Sequence, residues 1–304
     1  MGESDRELFD YYERALELLL ENHRDKDLRP LCADVGLTKR SEEFLRTLMT
    51  DGESEEIRAD ACFYLGRLMA QKREIRFADS WAKRPPVGRY TEYVNQRTKD
   101  NRDRYLKSAS IDQLYVEANR CFDKVVTDYS SVLTIRGDDR LADRAKREIF
   151  ELKHLSVSGT PPDIDGRDLA DEPMRLYVNR GKVVLLVFWA SWCGPCMGDV
   201  PHEKELHAKF AERPFTIIGV NADETLELAE KAVQENAIPW QSFWNGDKGA
   251  NGPIANSWNV RGWPTVYVID QTGTIRHKHL RCEELDEPLE LLIREAETVQ
   301  ANRE

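Results

Sequence analysis

The stretch Val183–Cys196 decides the fold of this chain; its sequence is VVLLVFWASWCGPC. Its first seven residues are all apolar, which is typical of a central β-strand covered on both faces. Cys193 and Cys196 follow where the strand ends and a helix begins. Because residues i and i+3 share one face of a helix, the two sulfurs can form a disulfide with little backbone movement. The stretch therefore predicts a redox-active dithiol at a strand–helix junction.

The helix position predicts different roles for the two thiols. Cys193 would lie among the unpaired N–H groups of the helix N-terminus, which favour an anion and lower the thiol pKa. Since the thiolate is the reactive form, Cys193 is the predicted nucleophile and Cys196 the resolving thiol. Pro195 suits the first helical turn, where the missing N–H costs no hydrogen bond.

A pair of cysteines at this spacing also occurs in zinc sites, which need further ligands at a matching spacing. The other cysteines are isolated in the sequence, and Cys282 is interpreted as inert packing rather than as part of the redox cycle. His277 and His279 alternate on a predicted strand, and two solvent-facing histidines are favoured over metal ligands. We therefore predict redox chemistry with no metal and no cofactor.

Two segments resemble the thioredoxin superfamily. Trp189–Cys196 resembles its active-site motif, and Gly262–Thr265, which is Gly-Trp-Pro-Thr, resembles its cis-proline segment. The resemblance implies that Pro264 lies against the dithiol and that the backbone of Trp263 pairs with an extended substrate. An ordinary strand-edge proline is the alternative for Pro264, and the functional interpretation is favoured.

Within that superfamily the C-terminal half is most similar to the TlpA-like disulfide reductases, which share the broader alkyl hydroperoxide reductase/redoxin class. The similarity covers roughly residues 157–295 and implies an α/β thioredoxin fold. The segments that carry it are Gly159–Ile164, Arg180–Lys182, Asp199–Pro201 and Asn236–Trp258.

Two residues depart from the family pattern. Val187 stands where thioredoxin keeps a buried aspartate, and Asp199 stands where many TlpA-like members carry a glutamate. Asp199 is three residues beyond Cys196, so a helix places it on the same side as that thiol. It can accept the Cys196 proton as Cys196 attacks the mixed disulfide, or it can be a solvated acid that stabilises the helix N-terminus. The sequence leaves both interpretations open.

Peroxidase chemistry is the nearest enzymatic alternative. By family resemblance it needs a Thr or Ser three residues before the reactive cysteine and a proline further upstream. Ala190 and Leu186 occupy those positions, so nothing is predicted to bind and polarise a peroxide.

Composition excludes several kinds of partner. The 304-residue chain has a net charge of −11 and an isoelectric point near 5.2, which argues against nucleic-acid surfaces and anionic membranes. No apolar run is long enough for a transmembrane helix. The N-terminus has no basic segment followed by an apolar one, so the chain as written is expected to be cytoplasmic. The resemblance instead implies the cell envelope, behind a leader.

The first half of the chain is predicted to be a helical domain, residues 1–155, because its apolar residues recur at helical spacing. Four stripes carry this prediction: Leu8, Phe9, Tyr12, Leu16 and Leu19; Ile57, Ala61, Tyr64, Leu65 and Leu68; Ile111, Leu114, Tyr115, Ala118, Phe122, Val125, Val126 and Tyr129; and Leu141, Ala145, Ile149 and Leu152. The charged segment Lys72 to Lys107, which is broken by Pro85 and Pro86, is predicted to be solvent-exposed with some helix.

The helical domain bears a weak resemblance to tetratricopeptide repeats. Ala59–Gly66 and Glu117–Phe122 resemble the two helices of one repeat, but no clean period follows, so an irregular helical bundle is favoured. Cys32, Cys62 and Cys121 are interpreted as small buried apolar residues, and their odd number predicts no disulfide framework.

Residues 156–162 form the predicted linker, since glycine and prolines occur where the helical spacing stops, and residues 163–304 form the thioredoxin-like domain. Its predicted elements are strand Met174–Val178, strand Val183–Trp189, helix Pro195–Ala211, strand Phe215–Val220, helix Leu226–Asn236, loop Gly246–Pro253, strand Val266–Ile269, hairpin turn Asp270–Gly273 and a closing helix with apolar residues from Leu285 to Ala296.

The sequence thus predicts a two-domain thiol–disulfide oxidoreductase that reduces protein disulfides and is itself reduced by an upstream thiol. Predicted substrate contacts are Trp192, Gly194, Pro195, Trp263 and Pro264. Aromatic core packing is the alternative for both tryptophans. The helical domain would choose or position a protein partner. The alternative function is a redox-sensing interaction or scaffold protein.

Overall fold

The computed structural model describes residues 14–21, 27–81 and 103–302, with side chains described to residue 77 in the second range. The chain forms two compact units, Met1–Leu152 and Lys153–Glu304. Leu8, Phe9, Tyr12 and most of the predicted charged segment lie outside the described residues.

Among its described residues the first unit is helical, as predicted, apart from an isolated β-bridge between Leu133 and Arg140. Its labelled helices are α1 (Arg29–Asp34), α2 (Lys39–Asp51), α3 (Glu55–Trp81), α4 (Ile111–Asp128) and α5 (Leu141–Phe150), and residues 14–21 and 103–106 are also helical. A π-helical turn, Glu151–Leu155, extends α5. None of the helices in the described ranges has the length and apolar character needed to cross a bilayer.

Helices α3 and α4 pack closely, and α4 shows why this sequence is helical. Ser110 caps its first turn: the hydroxyl accepts from the Gln113 N–H at 3.1 Å, and the Gln113 side chain accepts from the Ser110 N–H at 2.8 Å. The helix buries the stripe predicted for it, and the buried residues are Leu114, Ala118, Cys121, Phe122 and Val125.

Within the charged segment from Lys72 to Lys107, the predicted exposure is wrong for Lys72 and Tyr105, which are buried, whereas the predicted helix is present. Helix α3 continues through this region to Trp81, and Lys72 is fully buried. The Lys72 ammonium lies 3.8 Å from the centroid of the Tyr105 ring and donates to the Ser108 hydroxyl at 2.9 Å. A cation over an aromatic face with a hydroxyl partner is stabilised without full solvation. Such a pairing of distant residues cannot be read from the spacing of residues in the sequence.

The second unit contains a five-stranded mixed sheet. Its strands are β3 (Val183–Trp189), β4 (Phe215–Asn221), β5 (Ser242–Trp244), β6 (Thr265–Ile269) and β7 (Ile275–Lys278), after the short pair β1 (Asp165–Arg167) and β2 (Pro173–Arg175). The order across the large sheet is β5-β4-β3-β6-β7. Strands β3, β4 and β5 are parallel, whereas β6 and β7 are antiparallel to their neighbours. The central β3 is buried along its whole length, as its composition predicts.

Helices cover this sheet. They are α6 (Gly194–Lys209), α7 (Leu226–Asn236), α8 (Pro253–Ser257) and α9 (Asp286–Ala301). Leu185 and Val187 of β3 share one apolar cluster with Val200 of α6 and Leu289 of α9. Phe188 points to the other face, where its ring centroid lies 5.7 Å from that of Trp258. The thioredoxin-like architecture implied by the resemblance is therefore present, with α6 starting directly beyond the central strand.

The units divide between Leu152 and Lys153, a few residues before the predicted linker. In the second unit, Ser158 donates to the Ile275 carbonyl at 2.8 Å and the Gly159 carbonyl accepts from the Ile275 N–H at 2.9 Å. The domain boundaries at residues 155 and 163 stay a prediction.

Local expectations differ from the structure in several places. The strand predicted at Met174–Val178 ends at Arg175, because the backbone continues as the 3₁₀ turn Leu176–Asn179. Strand β5 was not predicted, since three residues are too few for a periodic signal. His279 lies beyond β7 with a φ of 59°, so it does not alternate with His277 on one strand.

Candidate active site

The two thiols of the CGPC motif lie at the N-terminus of α6 and are joined in a disulfide, with their Cα atoms 5.2 Å apart. Cys193 is the N-cap residue of the helix, and its Sγ accepts from the Cys196 N–H at 3.2 Å. The first helical bond runs from the Met197 N–H to the Cys193 carbonyl at 3.0 Å. Since unpaired amides of a helix N-terminus carry partial positive charge, a thiolate formed at Cys193 on reduction is stabilised there.

A buried aspartate holds the loop between β3 and Cys193. Asp223 accepts from the Ser191 hydroxyl at 2.6 Å and from the Ser191 N–H at 3.1 Å, and it also accepts from the Asn221 side chain at 2.7 Å. Asp223 is fully buried just beyond β4, the parallel neighbour of β3. The sequence analysis did not single it out. The available signal was its place at the carboxyl end of a neighbouring strand, where functional residues of parallel sheets gather.

An exposed surface surrounds the dithiol. Trp192 is 55% exposed, and Gly194 and Pro195 are exposed as well. A Cβ added at Gly194 would meet no atom within 4 Å, so the approach to the motif is open. The centroids of the Trp192 and Trp263 rings lie 5.9 Å apart in an edge-to-face contact.

The sheet register determines where the predicted cis-proline segment lies. Phe188 is paired with Thr265, so the residues just before Thr265 lie at the end of β3 from which the motif starts. The peptide bond between Trp263 and Pro264 is cis. Within the described residues, neither the N–H nor the C=O of the Trp263 backbone has a protein hydrogen-bond partner, so both groups can bind an extended chain.

Asp199 is buried, so the interpretation of it as a solvated acid is wrong. Its carboxylate accepts from Arg281 Nε at 2.6 Å, from Arg281 Nη2 at 2.8 Å and from Cys282 Sγ at 3.1 Å. Arg281 Nη2 also donates to the Pro195 carbonyl at 2.9 Å. Arg281 therefore ties the segment before α9 to the first turn of the active-site helix, a contact between positions 82 residues apart.

Glu203 is a second buried acid on α6, and the sequence analysis missed it. Burial raises the pKa of Glu203 to about 8; the negative charge of Asp199 acts in the same direction and the charge of Arg281 opposes both. Its carboxyl group is therefore mostly protonated at neutral pH. The signal was present in the helical spacing, because positions 196, 199 and 203 share one face of α6.

Cys282 contacts the same cluster. The hydrogen bond from its thiol to Asp199 raises the pKa of Cys282 to about 11, and burial and the charge of Asp199 act in the same direction. At neutral pH the Cys282 thiol is protonated, and a protonated thiol is a poor nucleophile. Its part in the redox cycle stays untested.

His277 lies on β7 and His279 directly follows that strand, and the two side chains differ in environment. Burial lowers the pKa of His277 to about 4, with a further contribution from the charge of Arg276, and His279 is exposed. The expectation of two solvent-facing histidines is therefore wrong for His277. In the described ranges no three His, Cys, Asp or Glu side chains are grouped as metal ligands would be.

Known proteins with similar sequences are thioredoxin-like proteins and thiol–disulfide oxidoreductases. The family model described as thioredoxin-like matches residues 181–275. The thioredoxin-like protein YneN of Bacillus subtilis is 31% identical over 136 residues, which are 43% of this chain and 76% of YneN. The thiol-disulfide oxidoreductase ResA of Geobacillus kaustophilus is 30% identical over 122 residues, which are 40% of this chain and 68% of ResA.

Solved structures are similar as well. The thioredoxin domain of the thiol-disulfide oxidoreductase BVU-2223 from Bacteroides vulgatus is 28% identical, with a TM-score of 0.43. The match covers 45% of this chain and 98% of that domain.

Proposed function

Because this chain belongs to the thioredoxin-like thiol–disulfide oxidoreductases, we propose that it reduces disulfide bonds in protein substrates through Cys193 and Cys196. The position of Cys193 carries this proposal. Cys193 is the N-cap residue of α6, and its Sγ accepts from the Cys196 N–H at 3.2 Å. The Gly-Pro dipeptide between the cysteines supports the reducing direction, since thioredoxin has a reduction potential of about −270 mV.

In the first step, the Cys193 thiolate attacks one sulfur of the substrate disulfide. The substrate S–S bond breaks, an enzyme–substrate mixed disulfide forms, and the released substrate thiolate takes up a proton. Trp192 and Trp263 supply apolar surface for the substrate around the dithiol, and the free backbone groups of Trp263 bind its extended chain. Gly194, Pro195 and Pro264 complete this proposed contact surface.

In the second step, Cys196 attacks the Cys193 sulfur of the mixed disulfide. The substrate leaves as a dithiol, and the enzyme is left with the Cys193–Cys196 disulfide; an upstream thiol reductant then returns two electrons to it. Asp199 is the proposed acceptor of the Cys196 proton. Arg281 holds the Asp199 carboxylate in place with two hydrogen bonds, and the protonated Glu203 adds no negative charge beside it.

The Cys196→Ser variant tests whether proteins are substrates. With Cys196 removed, the mixed disulfide cannot be resolved, so it is expected to accumulate on Cys193. The reduced variant is mixed with a disulfide-bonded protein such as insulin, and non-reducing gels with peptide mass mapping detect the adduct.

The control is Cys193→Ser with Cys196→Ser, which is expected to form no adduct. If the single variant captures low-molecular-weight disulfides such as oxidised glutathione but no protein, protein substrates are ruled out while thiol–disulfide exchange stands.

A further inference from the structure

The loop that leads into Cys193 is a tight turn. The Cys193 N–H donates to the Ala190 carbonyl at 3.1 Å, so these two residues are the first and last of a β-turn. Ser191 and Trp192 are its two central residues. The turn starts directly after Trp189, the last residue of β3, and it ends at the N-cap residue of α6. Its conformation therefore sets where the Cys193 sulfur lies relative to the helix N-terminus.

The second residue of this turn, Ser191, is held by Asp223. The N–H of the second residue has no partner inside a β-turn, so it needs one from outside. Trp189 is paired with Asn221 in the parallel sheet, and Ser191 and Asp223 each lie two residues further on. The Asp223 carboxylate accepts from both donors of Ser191, the N–H at 3.1 Å and the hydroxyl at 2.6 Å.

The surroundings of residue 223 require a carboxylate. Asp223 is fully buried, and its side chain meets the two donors of Ser191 and the side-chain amide of Asn221, which donates at 2.7 Å. An aspartate offers two acceptor oxygens to these donors, whereas an asparagine offers one oxygen and an NH₂ group. An asparagine would therefore leave buried donors without a partner, which costs free energy.

Asp223 is itself fixed by its backbone. Its N–H donates to the Asn221 side-chain oxygen at 3.0 Å, and its carbonyl accepts from the Trp244 indole N–H at 3.1 Å. Trp244 belongs to β5, which pairs with β4. Because both backbone groups of Asp223 are tied to the sheet, its side chain is a rigid support for the loop that it contacts.

We propose that Asp223 is a positioning residue for the redox reaction: acting through Ser191, it fixes the turn so that Cys193 stays at the N-cap of α6 and Trp192 stays exposed to the substrate. This inference rests on the proposed function, since it concerns how the reactive thiol is presented. No bond is made or broken at Asp223. Ser191 and Asp223 are 32 positions apart, so the cysteine motif alone does not reveal the pair.

A double-mutant cycle on the full chain tests whether Asp223 acts through Ser191. The variants are Ser191→Ala, Asp223→Asn and the two combined, and the readout is kcat/KM for insulin reduction with dithiothreitol as the reductant. Each single change is expected to lower kcat/KM about tenfold, as for one lost hydrogen bond to a charged group. The combined variant is expected to be no slower than Asp223→Asn, because both changes break the same link. A combined loss of about a hundredfold, the product of two independent effects, would overturn the proposal.

The pH dependence of Cys193 alkylation by iodoacetamide distinguishes positioning from a general loss of activity. Moving Cys193 away from the helix N-terminus destabilises its thiolate. Ser191→Ala is therefore expected to slow alkylation about threefold at about pH 7, relative to the rate at about pH 10 where the thiol is ionised. Ser191→Thr keeps the hydroxyl, so it is expected to recover most of the loss in both measurements. An unchanged pH dependence in Ser191→Ala, or an equal loss in Ser191→Thr, would contradict the proposal.

Glu224→Gln is the matched control, because Glu224 is the next residue along the chain, is also acidic and is exposed. It is expected to match the wild type in both measurements. If circular dichroism shows that Asp223→Asn does not fold, Ser191→Ala and Ser191→Thr still decide the question. A wild type that reduces no insulin would sink the proposed function, whereas an active wild type with an equally active Ser191→Ala would sink only the positioning role.

Discussion

The Cys193→Ser variant is expected to reduce insulin disulfides at least about 1000 times more slowly than the wild type, a loss of about 4 kcal/mol of transition-state stabilisation. A serine hydroxyl is not ionised at neutral pH, so the N-terminal amides of α6 have no thiolate to stabilise. Cys196 cannot replace it, because it lies within the first turn of α6 and not at the N-cap position. The rate is measured as insulin precipitation with dithiothreitol as the reductant.

Cys282→Ser is the control for this measurement. Serine keeps a donor to the Asp199 carboxylate, and the thiol it replaces is protonated at neutral pH, so the rate is expected to stay within about threefold. Equal rates for Cys193→Ser and the wild type would contradict the proposed chemistry. An equally large loss of the insulin-reduction rate in Cys282→Ser would make Cys282 part of the redox cycle.

The Glu203→Gln variant is expected to change how stability depends on pH. The pKa of Glu203 is raised to about 8 in the folded protein, above the ordinary value of 4.5, so between these values the folded state holds a proton that the unfolded state releases. Raising the pH therefore destabilises the wild type until Glu203 ionises in the fold. A glutamine stays neutral throughout. Between pH 5 and pH 9 the variant is expected to gain on the order of 4 kcal/mol in unfolding free energy relative to the wild type.

Urea unfolding at several pH values measures this difference. Glu205→Gln is the matched control, because Glu205 lies on the same helix with a side chain that is 77% exposed. The unfolding free energy of Glu205→Gln is expected to change with pH in the same way as that of the wild type. If the unfolding free energy of Glu203→Gln also runs parallel to that of the wild type, Glu203 ionises at an ordinary pKa, and the proposed protonation of Glu203 at neutral pH is contradicted.

The fold was predictable where the sequence is locally periodic or uniformly apolar. The seven apolar residues of β3 and the stripe of α4 gave a central strand and a buried helix face, and both are confirmed, as is the α/β thioredoxin fold after an all-helical region. Short elements were not predictable. Strand β5 has three residues, and its pairing with β4 depends on the sheet rather than on its own composition.

The site was predictable as far as its motifs extend along the chain. Cys193 and Cys196 were predicted from their spacing at a strand–helix junction and from the resemblance of the surrounding motif, and Glu203 could have been found from the same helix face. Arg281 could not, because many arginines are candidates and only the tertiary fold selects the one that meets Asp199. The burial of Lys72 has the same origin: its aromatic partner, Tyr105, lies far along the chain.

The central claim is that the N-terminus of α6 keeps Cys193 ionised near neutral pH. The most direct measurement is the rate at which iodoacetamide alkylates each cysteine of the reduced protein as a function of pH, resolved by peptide mass spectrometry. We expect a midpoint for Cys193 of about 7, below the ordinary thiol value of about 8.5. Cys282 is the internal control in the same sample, with a pKa of about 11. A Cys193 midpoint at or above about 8.5 would contradict the account.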